Sequence, residues 1–410
     1  MTFLISILSL IIIGVLASYS GKLVEKIKLP SLIGMMIIGM VIGPTFLNLV
    51  PVEVINISPI IKDIALVTVL FIGGLGISLS QMKEIGRPAI LLSIIPATLE
   101  GLTIAFLSTY LLDFTFIQGA ILGFIIAAVS PAVLVPSMIS LIDRKLGEDK
   151  AIPQMLLVGA SADDTIAITL FTTFLGVYVQ GLDGKNISIM KQISMIPITI
   201  GLSIFIGWFL AKITTYLLKY INRKSIKVLF AYALCIAMRV IEKKFEIQLF
   251  NSLLTIMIYG FFLRNYVEEV SRDIIKVMNK IWSIGKIYLF AFVGMAINPS
   301  LVGEFFVIGI VLLIFSLSIR SIGVLISLLG TNLNKKEKLF CIIAYLPKAT
   351  VQSAKAGIPL QMGVVGGEIM QAIAILSVLI TAPIGAIGIK LTSGKWLSKG
   401  QKMITIKINI

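Results

Sequence analysis

The sequence predicts an all-α polytopic membrane protein with about thirteen transmembrane helices, laid out as two inverted six-helix repeats with discontinuous helices. Three observations carry that prediction. The 410-residue chain is 58% hydrophobic and only 13% charged, with a mean hydropathy of +1.04, whereas a soluble domain is about a quarter charged. Apolar stretches close to the roughly twenty residues that cross a bilayer recur from end to end. Two of them carry a mid-span proline, Pro131 and Pro347, 216 residues apart.

In order, the spans are Phe3–Ser20, Ser31–Val50, Ile64–Leu79, Ala89–Leu112, Phe116–Ile139, Ala151–Val179 and Ile193–Ala211, then Ser225–Val240, Ile247–Leu263, Ile281–Asn298, Leu301–Leu329, Leu339–Ile358 and Ile369–Ile389. No basic residue precedes the first, as a cleavable leader would require. The eighth span is the weakest, being short and flanked by Lys224, Lys227, Arg239 and Lys243. The loop charges test the count. Of 35 basic residues, 25 fall after odd-numbered spans, 6 fall on the other side, and Lys286, Arg320, Lys348 and Lys355 lie within spans. The excess of Lys and Arg marks the cytoplasmic side, which places the N-terminus outside and the C-terminus in the cytoplasm. Omitting the eighth span would make the two halves disagree.

The formal charge of +15 is therefore a row of membrane-flanking loops rather than a nucleic-acid surface. The chain has no histidine and two cysteines. A Ser-His-Asp hydrolase, a His-ligated zinc site and a histidine pH switch are excluded, and so are a Cys₄ zinc and an iron–sulfur cluster. No resident cofactor is expected.

The segment S-P-A-V-L-V-P-S (Ser130–Ser137) lies in the fifth span and L-P-K-A-T-V-Q-S (Leu346–Ser353) in the twelfth. Aligning Pro131 with Pro347 pairs spans four to six with spans eleven to thirteen. A shift of seven spans inverts one half relative to the other and leaves the seventh span as a linker. Inverted repeats with broken mid-membrane helices are a common plan of secondary transporters. Proline removes a backbone hydrogen bond, and freed backbone groups at that depth are tolerated only against protein or a wet cavity. Lys348, next to Pro347, is placed to neutralise carbonyl ends exposed by the break.

Charge inside a bilayer is costly, about 2.5–3.5 kcal/mol per residue at a helix centre. Only Glu100, Asp163 and Asp164 among the acids sit near a span midpoint. Asp163 and Asp164 point about 100° apart on a helix, so the two cannot face one partner equally. Ser161 shares a face with Asp164 and adds a candidate oxygen ligand. A desolvated carboxylate holds either a proton or a small cation, and that competition is the minimum chemistry of an antiporter. Glu100 and Arg320 occupy paired spans and form the expected ion pair, with Asp163 as the other candidate partner for Arg320. Lys286 is expected to snorkel to the cytoplasmic surface. The G-M-V-I-G run (Gly39–Gly43) suits either internal helix packing or a dimer contact.

The runs S-P-A-V-L-V-P-S-M, G-A-S-A-D-D-T-I-A-I-T-L-F and K-L-F-C-I-I-A-Y-L-P-K-A-T-V-Q-S-A resemble the NHA-type sodium/proton antiporters of the cation/proton antiporter superfamily, in matching order from about Ile64 to Ile389. The resemblance implies an elevator-type exchanger of Na⁺ or Li⁺ for H⁺, working as a homodimer, with crossed broken helices in its ion-binding core. It implies Asp164 as the Na⁺ ligand and Asp163 as its companion, joined by Ser161 and Ser130 as candidate cation- and proton-binding residues. Arg320 with Glu100 matches the NHA branch. The division that follows is 1–87 (dimerisation helices and the start of repeat 1), 88–180 (core of repeat 1), 181–219 (linker helix), 220–298 (dimerisation helices of repeat 2), 299–391 (core of repeat 2) and 392–410 (cytoplasmic tail).

Exchange of K⁺ for H⁺ and sodium-coupled symport of an organic anion are the alternatives on the same architecture. An intramembrane aspartyl protease needs aspartates converging from separate helices, and these two are adjacent on one.

Overall fold

The computed structural model describes residues 2–27, 30–77, 79–182, 189–245, 249–296 and 303–399. The described chain is helical. The first half comprises α1 (Thr2–Lys26), α2 (Ser31–Ile42), α3 (Val52–Leu75), α4 (Leu79–Leu111), α5 (Phe116–Ala127), α6 (Pro131–Asp143) and α7 (Ile152–Leu182), followed by α8 (Ile189–Leu217). The second half comprises α9 (Lys224–Lys244), α10 (Ser252–Tyr266), α11 (Glu268–Met295), α12 (Phe306–Ser327), α13 (Lys335–Ala344), α14 (Thr350–Lys355), α15 (Ile358–Gln361) and α16 (Gly367–Trp396). Each predicted span falls on one helix or on a broken helix. Among the described residues, eight segments are long and apolar enough to cross a membrane. Lys28, Lys185, Lys402 and Lys407 of the charge count lie outside the described residues, as do the span ends at Ile247, Asn298 and Leu301.

Several helices differ from the predicted bounds, α3 and α4 beginning twelve and ten residues early; for two spans the reason is identifiable. α2 stops at Ile42, eight residues early, because Gly43 precedes Pro44 and is extended (φ −66°, ψ 171°), as a residue before proline prefers. α11 begins at Glu268, thirteen residues before the predicted Ile281. Its first turns are charged, so an apolar-run criterion misses them, yet Ser271, Ile274 and Met278 recur at helical spacing and are buried.

The 216-residue offset read from two proline motifs extends to whole elements. Shifted by it, α3 starts on the first residue of α11, and α7 lands within two residues of both ends of α16. The packing repeats as well: α3 lies against α10, and α11 against α2. Both contacts are backbone-close. A Cβ added to Gly74 would stand 2.0 Å from the carbonyl oxygen of Met257, and one added to Gly294 would stand 2.1 Å from that of Met36. A Cβ on Gly39 would lie 2.0 Å from Ala291 O, so the Gly39–Gly43 run packs α2 onto α11 of its own chain.

α4 forms a second centre, contacting α5, α7 and α12. Here the fifth and twelfth spans break. Ala128 and Ser130 are extended, and Pro131 opens α6 at the position where a missing N–H costs nothing. α13 ends at Ala344 and α14 restarts at Thr350. The two breaks touch directly: the backbone N–H of Ser130 donates to Pro347 O at 2.8 Å.

Candidate functional site

A helix that ends inside a bilayer leaves carbonyls without partners. α5 ends that way, and three side chains from the other half of the chain meet its end. Gln352 Nε2 donates to Ile125 O, Ile126 O and Ala128 O at 3.2, 3.1 and 2.8 Å. Arg320 Nη1 and Lys348 Nζ both donate to Ala127 O, at 2.5 and 3.2 Å. Arg320 serves the other break too, since its Nε donates to Tyr345 O at 2.8 Å and its guanidinium lies 5.5 Å from the Tyr345 ring.

The same two bases hold the acids. Glu100 Oε2 accepts from Arg320 Nη1 at 2.6 Å and from Lys348 Nζ at 2.7 Å. Asp163 Oδ2 accepts from the backbone N–H of Val129 at 2.8 Å and lies 3.4 Å from Arg320 Nη2. Both predicted partners of Arg320 therefore surround it, with Glu100 the nearer. The Lys348 backbone N–H donates to Thr381 Oγ1 at 2.9 Å, which fixes the residue after Pro347 against α16.

Asp164 differs: among the described residues Glu100 and Asp163 each have an ion pair to a buried base and Asp164 has none. It is 6% exposed, and its Oδ1, like Glu100 Oε1, has no hydrogen-bond partner. The charged groups acting on it are Asp163, Lys348 and Arg320. Ser130 is fully buried and its Oγ is likewise unpartnered. Ser161 Oγ has Leu157 O and Met257 Sδ each at 3.0 Å as acceptors for its one proton, which leaves its oxygen lone pairs available. The breaks at Pro131 and Pro347 thus gather Glu100, Asp163, Arg320, Lys348 and the Ser130 backbone into one set, with Asp164 within electrostatic reach.

Three buried carboxylates (Glu100, Asp163, Asp164) face two buried bases (Arg320, Lys348). The set is one positive charge short. A proton or one monovalent cation completes it, and an uncompensated charge at that burial is costly.

Sequence reasoning found all five charged residues but missed Gln352, Tyr345 and Thr381 as supports. Gln352 lies in the first turn of α14, and its Oε1 accepts from the Ala349 backbone N–H at 2.9 Å. Tyr345 is buried, and a Cβ on Gly159 would stand 2.2 Å from its hydroxyl; nothing in local pattern signals that approach.

A cavity of about 390 Å³ opens among α1, α2, α6, α11 and α16 and reaches Ala132 and Val133, just past Pro131. Among the described residues, no group of three or more Cys, Asp or Glu side chains could hold a metal.

Crossed broken helices around a buried, charge-deficient carboxylate set define a secondary ion carrier of the inverted-repeat class. Residues 7–393 match the family described as Sodium/hydrogen exchanger, transmembrane, and the chain belongs to that family of multi-pass membrane cation/proton antiporters. It is a transporter and needs no cofactor. It is 31% identical to sodium/hydrogen exchanger 9B2 of Xenopus tropicalis over 415 residues, covering 94% of this chain and 74% of that one. It is 29% identical to the Homo sapiens 9B2 protein, covering 96% and 76%, and 28% identical to 9B1 of Mus musculus, covering 99% and 74%. Among solved structures, the sodium proton antiporter MjNhaP1 of Methanocaldococcus jannaschii superposes with a TM-score of 0.76 at 20% identity, over 97% of this chain and 99% of that chain; the shared fold extends to nearly every element.

Proposed function

We propose that the protein exchanges Na⁺ or Li⁺ for H⁺, with proton and cation competing for Asp164. The observation that carries this is the charge shortfall: three buried carboxylates against two bases, with Asp164 the member of the three that neither base pairs. Asp163 and Glu100 already have donors, so the missing positive charge belongs at Asp164. Ser130 and Ser161 supply further oxygens toward a hard cation. The names of the relatives support sodium as the cation.

The proposed movement is elevator-type. α4, α5, α6, α7, α12, α13, α14 and α16 form the core that carries the ion. α1, α2, α3, α9, α10 and α11 form the scaffold, which a second copy joins as a homodimer, and α8 links the two repeats. The Ser130–Pro347 contact and the Arg320 bridge tie both breaks together, so the core moves as one piece. The cavity ending at Val133 is the water route to the site from the side that the loop charges assign to the cytoplasm.

The test is exchange in liposomes loaded with a pH-sensitive dye. Wild type dissipates a proton gradient on addition of Na⁺ or Li⁺, and Asp164→Asn does not. No response of wild type to any monovalent cation, or normal exchange by Asp164→Asn, overturns the proposal.

A further inference from the structure

The 390 Å³ cavity has a lining that a cation route does not call for. Its charged residues are Arg144 at the end of α6, Lys390 on α16, Lys286 on α11 and Glu25 on α1. Three bases meet one acid at the mouth of a path that sodium would use. Serine hydroxyls stand among them: Ser137 and Ser393, which donate to Val133 O and Lys390 O of their own helices, and Ser140, for which no such bond is formed among the described residues. Arg144 and Lys286 have no ion pair and no side-chain hydrogen bond among the described residues. The bases of the smaller described cavity differ from Arg144 and Lys286. Lys150, in the smaller one of about 290 Å³, is paired with Glu337 at 2.8 Å, and Arg87 there donates to Leu329 O at 3.1 Å.

We propose that this cavity is a binding site for a phosphate-bearing anion. A guanidinium and an ammonium group lining one cavity together with a hydroxyl are the chemistry that holds a phosphate. Water occupies about 30 Å³ per molecule, so the space holds a headgroup-sized ligand. Basic pockets between transmembrane helices on the cytoplasmic side are also where anionic lipid headgroups sit. The ligand is either a phospholipid headgroup or a free phosphate, and the site's chemistry is the same for both.

The position sets the consequence. Arg144 and Lys390 belong to α6 and α16, whereas Lys286 belongs to α11. An anion held between Arg144 and Lys286 bridges the pieces that slide past each other, so it holds the cavity-open state and slows exchange. That consequence rests on the proposed movement; the binding itself does not.

Binding is read first, by thermal melting of the purified full chain in neutral detergent. The probes are phosphatidic acid, phosphatidylcholine and inorganic phosphate, on wild type and on the double variant Arg144→Gln/Lys286→Gln. Phosphatidic acid is expected to raise the wild-type melting temperature above its value in phosphatidylcholine, and the shift is expected to vanish in the double variant. An equal shift with inorganic phosphate alone identifies free phosphate as the ligand and upholds the site. No shift with either phosphate, or an undiminished shift in the double variant, overturns it.

Exchange is read second, in phosphatidylcholine vesicles with and without phosphatidic acid. At twice the dissociation constant, wild-type exchange slows about threefold, from the factor 1 + [L]/Kd, and the double variant is unaffected. Exchange that is absent even in pure phosphatidylcholine counts against antiport at Asp164 and leaves the melting result standing. Exchange unslowed by an anion that melting shows to be bound overturns the bridging role.

Discussion

Arg320 shows how little of a buried charge network one pair describes. Its guanidinium divides among Glu100, Asp163, Ala127 O and Tyr345 O, so exchanging the charges of Glu100 and Arg320 will not restore stability. A carboxylate at position 320 would face two carbonyls and Asp163. Glu100→Gln alone leaves Lys348 without an ion-pair partner and Arg320 with only Asp163 at 3.4 Å, and breaking a buried pair this way costs about 3–5 kcal/mol. Removing Lys348 as well, as Glu100→Gln/Lys348→Met, is expected to recover part of that. The thermal-melting double-mutant cycle should give a coupling of about 0.5–3 kcal/mol; strict additivity would mean that the pair does not interact. The five charged members were legible in the sequence because charge within an apolar span stands out. Their division of labour was not legible. Which oxygen each base reaches depends on the breaks' three-dimensional crossing, and Gln352, neutral and common, carries no such flag.

At the scale of elements, the helices separate into those set by apolar runs and those set by close approach. The apolar runs fall on helices or broken helices, while Pro44 and the charged start of α11 moved boundaries that hydropathy alone misplaces. Close approach is a matter of contact and was legible only as an ambiguous G-M-V-I-G. Gly39→Ala should push α2 away from α11, because its Cβ would meet Ala291 O at 2.0 Å. A loss of about 1–3 kcal/mol is expected from such overpacking, read as a lower melting temperature in detergent. Gly201→Ala, which meets nothing within 4 Å, serves as the control and should leave melting unchanged or raise it. Gln352→Leu keeps the side-chain volume near that of glutamine but uncaps the end of α5. An unsatisfied buried carbonyl costs about 1–3 kcal/mol, so this variant is expected to melt earlier than Gly39→Ala if all three carbonyls lose their donor.

For the whole molecule, one proton competing with one cation has a signature in the pH dependence of apparent affinity. Below the pH at which Asp164 loses its proton, the KM for Na⁺ should rise about tenfold for each unit the pH falls, while the maximal rate at saturating Na⁺ changes far less. A slope near two would mean a second proton shared with Asp163. With no histidine in the chain, the response has to come from the buried carboxylates and bases themselves. The repeat was legible at this scale from two short motifs, because an offset is preserved even where residues are not; the packing of α3 on α10 and of α11 on α2 shows it again without any sequence match. The crossing of the breaks also sets a timetable for biosynthesis. The donors for Ile125 O and Ile126 O lie 227 and 226 residues further along the chain. At about 5–20 residues per second, the end of α5 waits roughly 10–45 s before its caps exist. Through that interval the first half sits in the membrane as an unfinished part, and the transport site cannot close until the second half has been made.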